Sequence, residues 1–131
     1  MFYKSEENFV QWTKLFGYTA INTNFANFAS NLKIHKDWNH FYLAGFSYGW
    51  HQVGVSWAGW ITKFDLVNLK IVGEVSFDVS LGGWGSEFVD LELNDDGTFY
   101  AVGSCDASAA GQGYLNLVAK YDQAMNVLMT W

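Results

Sequence analysis

The sequence contains no proline and a single cysteine, Cys105. An internal disulfide is therefore excluded, and no turn can rely on the fixed backbone angle of a proline ring. Turns must instead use glycine, which occurs 13 times, together with Asn and Asp. No His or basic residue lies near Cys105 in the sequence, so we interpret it as a small residue at a strand end rather than a reactive thiol.

Basic residues are also scarce. The chain has 7 Lys and Arg against 13 Asp and Glu, a formal net charge of −6 at pH 7. This acidic balance disfavours binding to nucleic-acid backbones or to anionic lipid. Residues 1–12 lack the long apolar run of a signal peptide, and the uncharged residues 38–62 are too rich in polar residues and glycine for a spanning helix. We therefore expect no nucleic-acid partner and no membrane insertion, and the compartment stays unknown.

Apolar and aromatic residues, by contrast, are abundant. Half of the 131 residues are hydrophobic and 19% are aromatic, including 7 Trp. A chain of this length and composition is typical of one ordered domain with a substantial core.

Two stretches of the chain, residues 31–65 and 90–122, resemble each other. The offset between them is 58 residues at two matched glycines and 57 at two matched aspartates. A repeat of this length, made of alternating apolar residues and turn signals, predicts an all-β unit that cannot bury its faces alone. The matched residues are Phe41-Tyr42 with Phe99-Tyr100, Gly45 with Gly103, and Lys63-Phe64-Asp65 with Lys120-Tyr121-Asp122.

Alternation with a period of two predicts four antiparallel strands in each unit. No segment shows sustained helical periodicity, and Asp95-Asp96-Gly97 is typical of a hairpin turn rather than a calcium loop. We place unit 1 at residues 8–65, with strands at 11–16, 29–35, 40–47 and 57–64. Unit 2 is placed at residues 66–122, with strands at 70–81, 88–93, 98–104 and 114–121, and residues 126–131 are predicted to open a third unit.

The motifs of unit 2 carry a family resemblance. They are Leu81-Gly82-Gly83, Phe88-Val89-Asp90, the turn and strand at residues 95–103, and Val118-Ala119-Lys120-Tyr121-Asp122. This order resembles the bacterial-type β-propeller repeat known as the SBBP repeat, over about residues 8–131. In unit 1, residues 37–40 replace the Asp-Gly turn of that pattern. The resemblance implies a propeller fold, a location that is extracellular or at the cell surface, and no single activity.

Two blades do not close a ring, because propellers use about four to eight. Further blades must cover the open faces and strand edges, which otherwise favour aggregation. They can come from identical chains in a closed ring or from the rest of a longer chain. Residues 8–16 and 126–131 would compete for one position in a simple ring, which favours a fragment or an open assembly.

Residues that would carry catalysis or hold a metal are not evident. The sequence contains no nucleophile elbow, no phosphate-binding loop before a helix and no convincing pair of facing carboxylates. His35, His40 and His51 do not show the spacing of a metal site. We therefore predict no catalytic residue, no metal and no cofactor.

The tryptophans are the ambiguous signal. Trp60 is expected in the core by periodicity, whereas aromatic residues in loops could either fill the space between blades or stack on sugar rings. Our main hypothesis is a non-enzymatic β-propeller-type module for protein binding or structural assembly. The alternative is a carbohydrate-binding lectin that uses the loops at residues 48–57 and 82–87. Its predicted ligand-binding residues are Trp50, His51, Trp57 and Trp84.

Overall fold

The structure is a computed structural model, and it describes residues 2–3, 13–14, 27–37, 39–48, 57–68, 70–77, 85–106, 111 and 113–131. Within these residues the protein is all-β, which confirms the predicted fold class. No described residue belongs to a helix long and apolar enough to cross a membrane. The strands are β1 Phe2–Tyr3, β2 Thr13–Lys14, β3 Asn27–Ile34, β4 His40–Tyr48, β5 Trp57–Asp65, β6 Lys70–Phe77, β7 Ser86–Leu93, β8 Phe99–Asp106, β9 Tyr114–Tyr121 and β10 Val127–Thr130.

Eight of these strands form two blade-like antiparallel sheets. In sheet I the strand order is β3-β4-β5-β6, and in sheet II the order β10-β9-β8-β7 is the same meander. Each strand therefore pairs with its neighbours in sequence, as short hairpin connections require. Strands β1 and β2 pair separately as a two-stranded sheet.

The sheets group the strands one step later along the chain than the sequence units do. Strand β6 pairs with β5 and closes sheet I, although the repeat assigned it to the opening of unit 2. Strand β10 likewise pairs with β9 and is the fourth strand of sheet II, rather than the first strand of a third unit. Residues 13–14 of the expected opening strand pair with Phe2–Tyr3 instead. The repeat period gives the spacing of the strands, but it does not show which connection between strands separates one sheet from the next. The boundaries of the sheets therefore do not follow from the sequence repeat.

Aspartate side chains cap the turns in which the chain reverses after β5 and after β9. Asp65 Oδ1 accepts hydrogen bonds from the backbone N–H of Val67 and Asn68, at 2.7 and 3.0 Å. Asp122 Oδ1 accepts one from the N–H of Asn126 at 2.8 Å. A carboxylate that binds the N–H groups two to four residues ahead holds the chain in a tight turn. These turns pair β6 with β5 and β10 with β9.

Alternate side chains define two faces on each sheet, which we call front and back. Cross-strand pairs at matched positions show that the two sheets are built alike. The front face carries Tyr42, Ala44, Ile61 and Lys63 in sheet I and Tyr100, Val102, Val118 and Lys120 in sheet II. The back face carries the stacked rings of Phe41 and Phe64 in sheet I and of Phe99 and Tyr121 in sheet II, with centroids 4.5 and 5.0 Å apart.

The back face of sheet II packs on the front face of sheet I. The rings of Tyr42 and Phe99 meet across the interface with centroids 5.0 Å apart. The N–H of Gly59 donates a hydrogen bond of 3.1 Å to Ser86 Oγ, which ties the two sheets together. Packing is therefore head to tail, front against back. The buried core cluster between the sheets is Tyr42, Ala44, Ile61, Phe88, Leu91, Phe99, Ala101, Leu117, Ala119, Tyr121 and Met125.

Candidate functional site

Most of the ligand-binding residues predicted from sequence lie outside the described residues. These are Trp50, His51 and Trp84. The backbone of Trp57 begins β5, but its side chain is also outside the described part. Trp60 is buried, at 4% exposure, which confirms the expectation from periodicity.

Two histidines converge on one carboxylate at the β3–β4 turn. His40 Nδ1 lies 3.0 Å from Asp37 Oδ2, and His35 Nδ1 lies 3.2 Å from Asp37 Oδ1. Desolvation raises the pKa of Asp37, but hydrogen bonds from Asn39 N–H, His40 and His35 outweigh it and hold the pKa well below its usual value. No group of three or more His, Cys, Asp or Glu among the described residues could hold a metal ion. We interpret this cluster as a turn cap.

A groove opens where β7 begins, between the ends of the two sheets. Its volume is about 300 Å³, the lower end of the usual range for small-molecule sites. Two aromatic side chains contribute to its wall: Phe46 from sheet I and Tyr114 from sheet II, the latter 76% exposed. The remaining lining residues are Gly85, Ser86, Glu87, Ser104 and Asp106.

Hydrogen bonds order the polar part of the groove. Ser104 Oγ donates to Glu87 Oε1 at 3.0 Å across the β7–β8 pair. The N–H of Asp106 donates to the carbonyl of Gly85 at 2.8 Å, so the strand start and the strand end are held together. Two carboxyl groups and no basic residue stand among the described lining residues. The groove therefore favours ligands that donate hydrogen bonds and disfavours anions.

The front face of sheet II is a second candidate surface. Ala44 and Ile61 on the front face of sheet I are fully buried, at 0% exposure, under sheet II. Their counterparts on sheet II are not: Val102 is 37% exposed and Val118 is partly exposed. Strand β10 extends this face with further apolar side chains. Met129, opposite Lys120, is 48% exposed and Trp131 is 59% exposed.

Comparison with family models, with curated proteins and with solved structures gave no match to this chain. The assignment to the bacterial-type propeller repeat therefore stays a prediction. Within the chain, the β3–β4 and β7–β8 pairs correspond position by position in strand register.

The two sheets differ sharply at one matched position, and it lies in the groove. In sheet I, Phe28 pairs across the strands with Phe46, and their rings stack with centroids 4.9 Å apart. In sheet II the same register position holds Glu87 opposite Ser104, joined by a hydrogen bond. Both pairs precede a glycine and a β-bulge, so the register match is unambiguous. The position that holds an apolar pair in sheet I therefore holds a polar pair in sheet II, at the edge of the groove.

Residues 85–87 of the groove lie in the loop at residues 82–87 that the lectin hypothesis named. The other lining residues were not predicted, because no motif marks them and the repeats were not compared for differences: Phe46, Ser104, Asp106 and Tyr114. Aligning Gly45 with Gly103 already places Phe46 on Ser104. The same alignment of strand ends places Trp57, a predicted site residue, on Tyr114. The positions at which the two repeats carry different kinds of side chain were therefore the sequence signal that could have identified these residues.

Proposed function

We propose that the chain is a non-enzymatic, blade-like module that associates with protein by accepting a further four-stranded sheet on the front face of sheet II. One observation carries the proposal. The front face of sheet I is buried by a back face, and the matching front face of sheet II offers the same pattern of side chains to solvent.

The front faces of the two sheets also share a contact between a lysine and a tyrosine ring. Lys63 Nζ lies 5.5 Å from the centre of the Tyr42 ring, and Lys120 Nζ lies 5.2 Å from that of Tyr100. Both are cation–π contacts of the same cross-strand pair. Sheet II therefore presents the same Tyr–Lys pair that sheet I uses inside the existing interface.

The partner expected on this face is a sheet whose back face carries a stacked pair of aromatic rings, as that of sheet II does. A second copy of the chain does not offer one in the described state. Phe41 and Phe64, the ring pair of sheet I, are already 7% and 1% exposed, and those of sheet II are buried against sheet I. We therefore expect the chain to offer this surface to another sheet rather than to fill it by self-association.

A chain extended in register tests the proposal. Appending a copy of residues 76–131 after Trp131 continues the strand register, because Trp131 pairs with Val118 as Val75 pairs with Ile61. The substitution Val102→Cys reports burial through its rate of thiol labelling, and the buried Cys105 supplies a slow internal reference. We expect fast labelling at position 102 in the natural chain and at least roughly tenfold slower labelling in the extended chain, as burial of a partly exposed site requires.

The control is Val72→Cys on β6, which is 52% exposed and lies away from the new interface. Its labelling rate should be the same in both chains. Equal rates at position 102 in the two chains would rule the proposal out, provided that the added sheet raises the strand signal in circular dichroism. An added segment that does not form a sheet would also count against the proposal, because the front face of sheet II should provide the surface on which that segment folds.

A further inference from the structure

We infer that the groove at the start of β7 binds a neutral carbohydrate. This site uses none of the four residues named from sequence. Its polar pair lies on the front face of sheet II, toward the strand ends beyond Val102 and Val118, and its argument does not depend on the addition of a further sheet. The inference starts from Glu87 and Ser104, which stand where sheet I has a stacked aromatic pair.

The polar pair has no evident role in packing. At the same register position, Phe28 and Phe46 stabilise sheet I through ring contact. Replacing such a pair with a carboxyl and a hydroxyl group forgoes that contact, and burying polar groups costs free energy unless they are hydrogen-bonded. Ser104 and Glu87 satisfy each other at 3.0 Å while still lining an open groove. Polar groups kept at such an edge are typical of a ligand site.

Aromatic side chains on the wall give the groove its second property. Tyr114 is 76% exposed, an unusual state for a large ring that could have packed in a core. Phe46 lines the groove from sheet I. Ring faces bind the CH-rich faces of sugars, and polar groups beside them bind the hydroxyls.

The chemistry of the polar side selects among ligands. The Glu87 carboxyl oxygens can accept hydrogen bonds from hydroxyl groups, and the charges of Glu87 and of the buried Asp106 repel an anion. Calcium sites usually draw on several carboxylates, whereas the described lining residues include two, and no group of three or more His, Cys, Asp or Glu among the described residues could hold a metal ion. A neutral polyol with one apolar face matches both halves of the groove, and about 300 Å³ is room for a small sugar.

The test is an amide chemical-shift titration of the full chain with methyl β-glucopyranoside, methyl β-galactopyranoside, methyl α-mannopyranoside and N-acetylglucosamine. We expect at least one of these sugars to bind in the millimolar range and to shift amides at residues 85–87, 104–106 and 114. Glucuronic acid and calcium chloride form two further arms. Both should leave those amides unshifted at matched concentrations.

Two variants assign the binding to this groove. Tyr114→Ala should weaken it roughly tenfold, the loss of about 1.4 kcal/mol of ring contact. Its matched control is Val67→Ala, an apolar side chain of similar exposure, 74%, in the β5–β6 turn, which should bind normally. The double variant Glu87→Phe and Ser104→Phe rebuilds the aromatic pair of sheet I. We expect it to fold and to lose the sugar response.

Several results would overturn the inference. One is the absence of groove shifts with every sugar. Another is equal binding of glucuronic acid and the neutral sugars, which would remove the role of the carboxyl groups. Groove shifts with calcium alone would identify a cation site instead. Undiminished binding by Tyr114→Ala would place the sugar elsewhere on the chain, and none of these results bears on labelling at position 102.

Discussion

Gly45 and Gly103 show how a single residue type enables the strand pairing of each sheet. A Cβ atom built on Gly103 would overlap the backbone oxygen of Glu87, and one built on Gly45 would overlap that of Phe28. Both overlaps involve the backbone of the paired strand just before its bulge, so no side-chain movement relieves them. The two glycines recur one period apart because the same close approach recurs.

Replacing Gly103 should therefore be costly. We expect Gly103→Ala to lower the free energy of unfolding by about 3 kcal/mol, because the strands must separate to admit the methyl group. Gly113→Ala is the control: a Cβ there meets nothing within 4 Å, and its φ of 68° gives a conformational cost of about 1 kcal/mol. Urea denaturation followed by circular dichroism measures both. Equal losses for the two variants would contradict the steric explanation.

At the scale of elements, strand positions could be predicted from alternation, whereas the grouping of strands into sheets could not. Expected strands at 40–47, 57–64 and 114–121 are His40–Tyr48, Trp57–Asp65 and Tyr114–Tyr121 in the structure. Period-two alternation locates such strands because one face of each is buried. The strand expected at 70–81 is described as Lys70–Phe77 and belongs to the sheet before it. Alternation carries no information on which neighbour a strand joins.

The groove could not be predicted from motifs for a related reason. Glu87, Ser104 and Asp106 come from two strands and fall together only through the β7–β8 register. None of them belongs to a local sequence pattern of known chemistry. A comparison of the two repeats would have singled out Ser104 against Phe46, because packing alone does not call for a hydroxyl group there.

The capped turns make the stability of the elements depend on pH. Hydrogen bonds from the Asn126 side chain and backbone lower the pKa of Asp122 from 3.8, and Asn68 does the same for Asp65. A carboxyl whose pKa is lower when folded stabilises the fold above its unfolded pKa, and the stabilisation is lost as pH falls through the folded pKa. Acid should therefore loosen the β5–β6 and β9–β10 turns.

Asp122→Asn tests this dependence. At neutral pH we expect the variant to melt at a lower temperature than the natural chain, because an amide oxygen accepts weaker hydrogen bonds than a carboxylate. Below the lowered pKa of folded Asp122 the carboxyl is protonated in both the folded and the unfolded chain, so the two melting temperatures should converge. Thermal unfolding by circular dichroism across this range is the measurement. A constant difference at all pH values would show that the charge of Asp122 is irrelevant to the turn.

For the whole molecule, the head-to-tail packing of two like sheets is the central feature. Front meets back once inside the chain, through Tyr42 and Phe99, and the front of sheet II repeats the first front without the covering. Heterologous contacts of this kind can be extended by further units, whereas isologous contacts close on themselves. The interface within the chain therefore serves as the template for the one proposed outside it.

Lys63 and Lys120, at matched positions of the two sheets, provide a test of whether an added sheet would pack as sheet II packs on sheet I. Lys63 is 8% exposed, and its Nζ donates a hydrogen bond of 3.1 Å to the carbonyl of Gln123 on the other sheet. Lys120 holds the same position on the exposed front face. We expect Lys63→Ala to lower the free energy of unfolding by about 2 kcal/mol, because a hydrogen bond to a charged group is lost in a buried interface.

Lys120→Ala should cost about 0.5 kcal/mol or less in the natural chain, as surface substitutions usually do. In the chain extended by residues 76–131, Lys120 gains the turn carbonyl that Lys63 contacts now, and its substitution should become as costly as that of Lys63. Urea denaturation of these three variants, each compared with its unsubstituted parent chain, gives these differences directly. If Lys120→Ala costs the same in both chains, the added sheet does not reproduce the interface between sheets I and II, and head-to-tail extension fails at the level of its polar contacts.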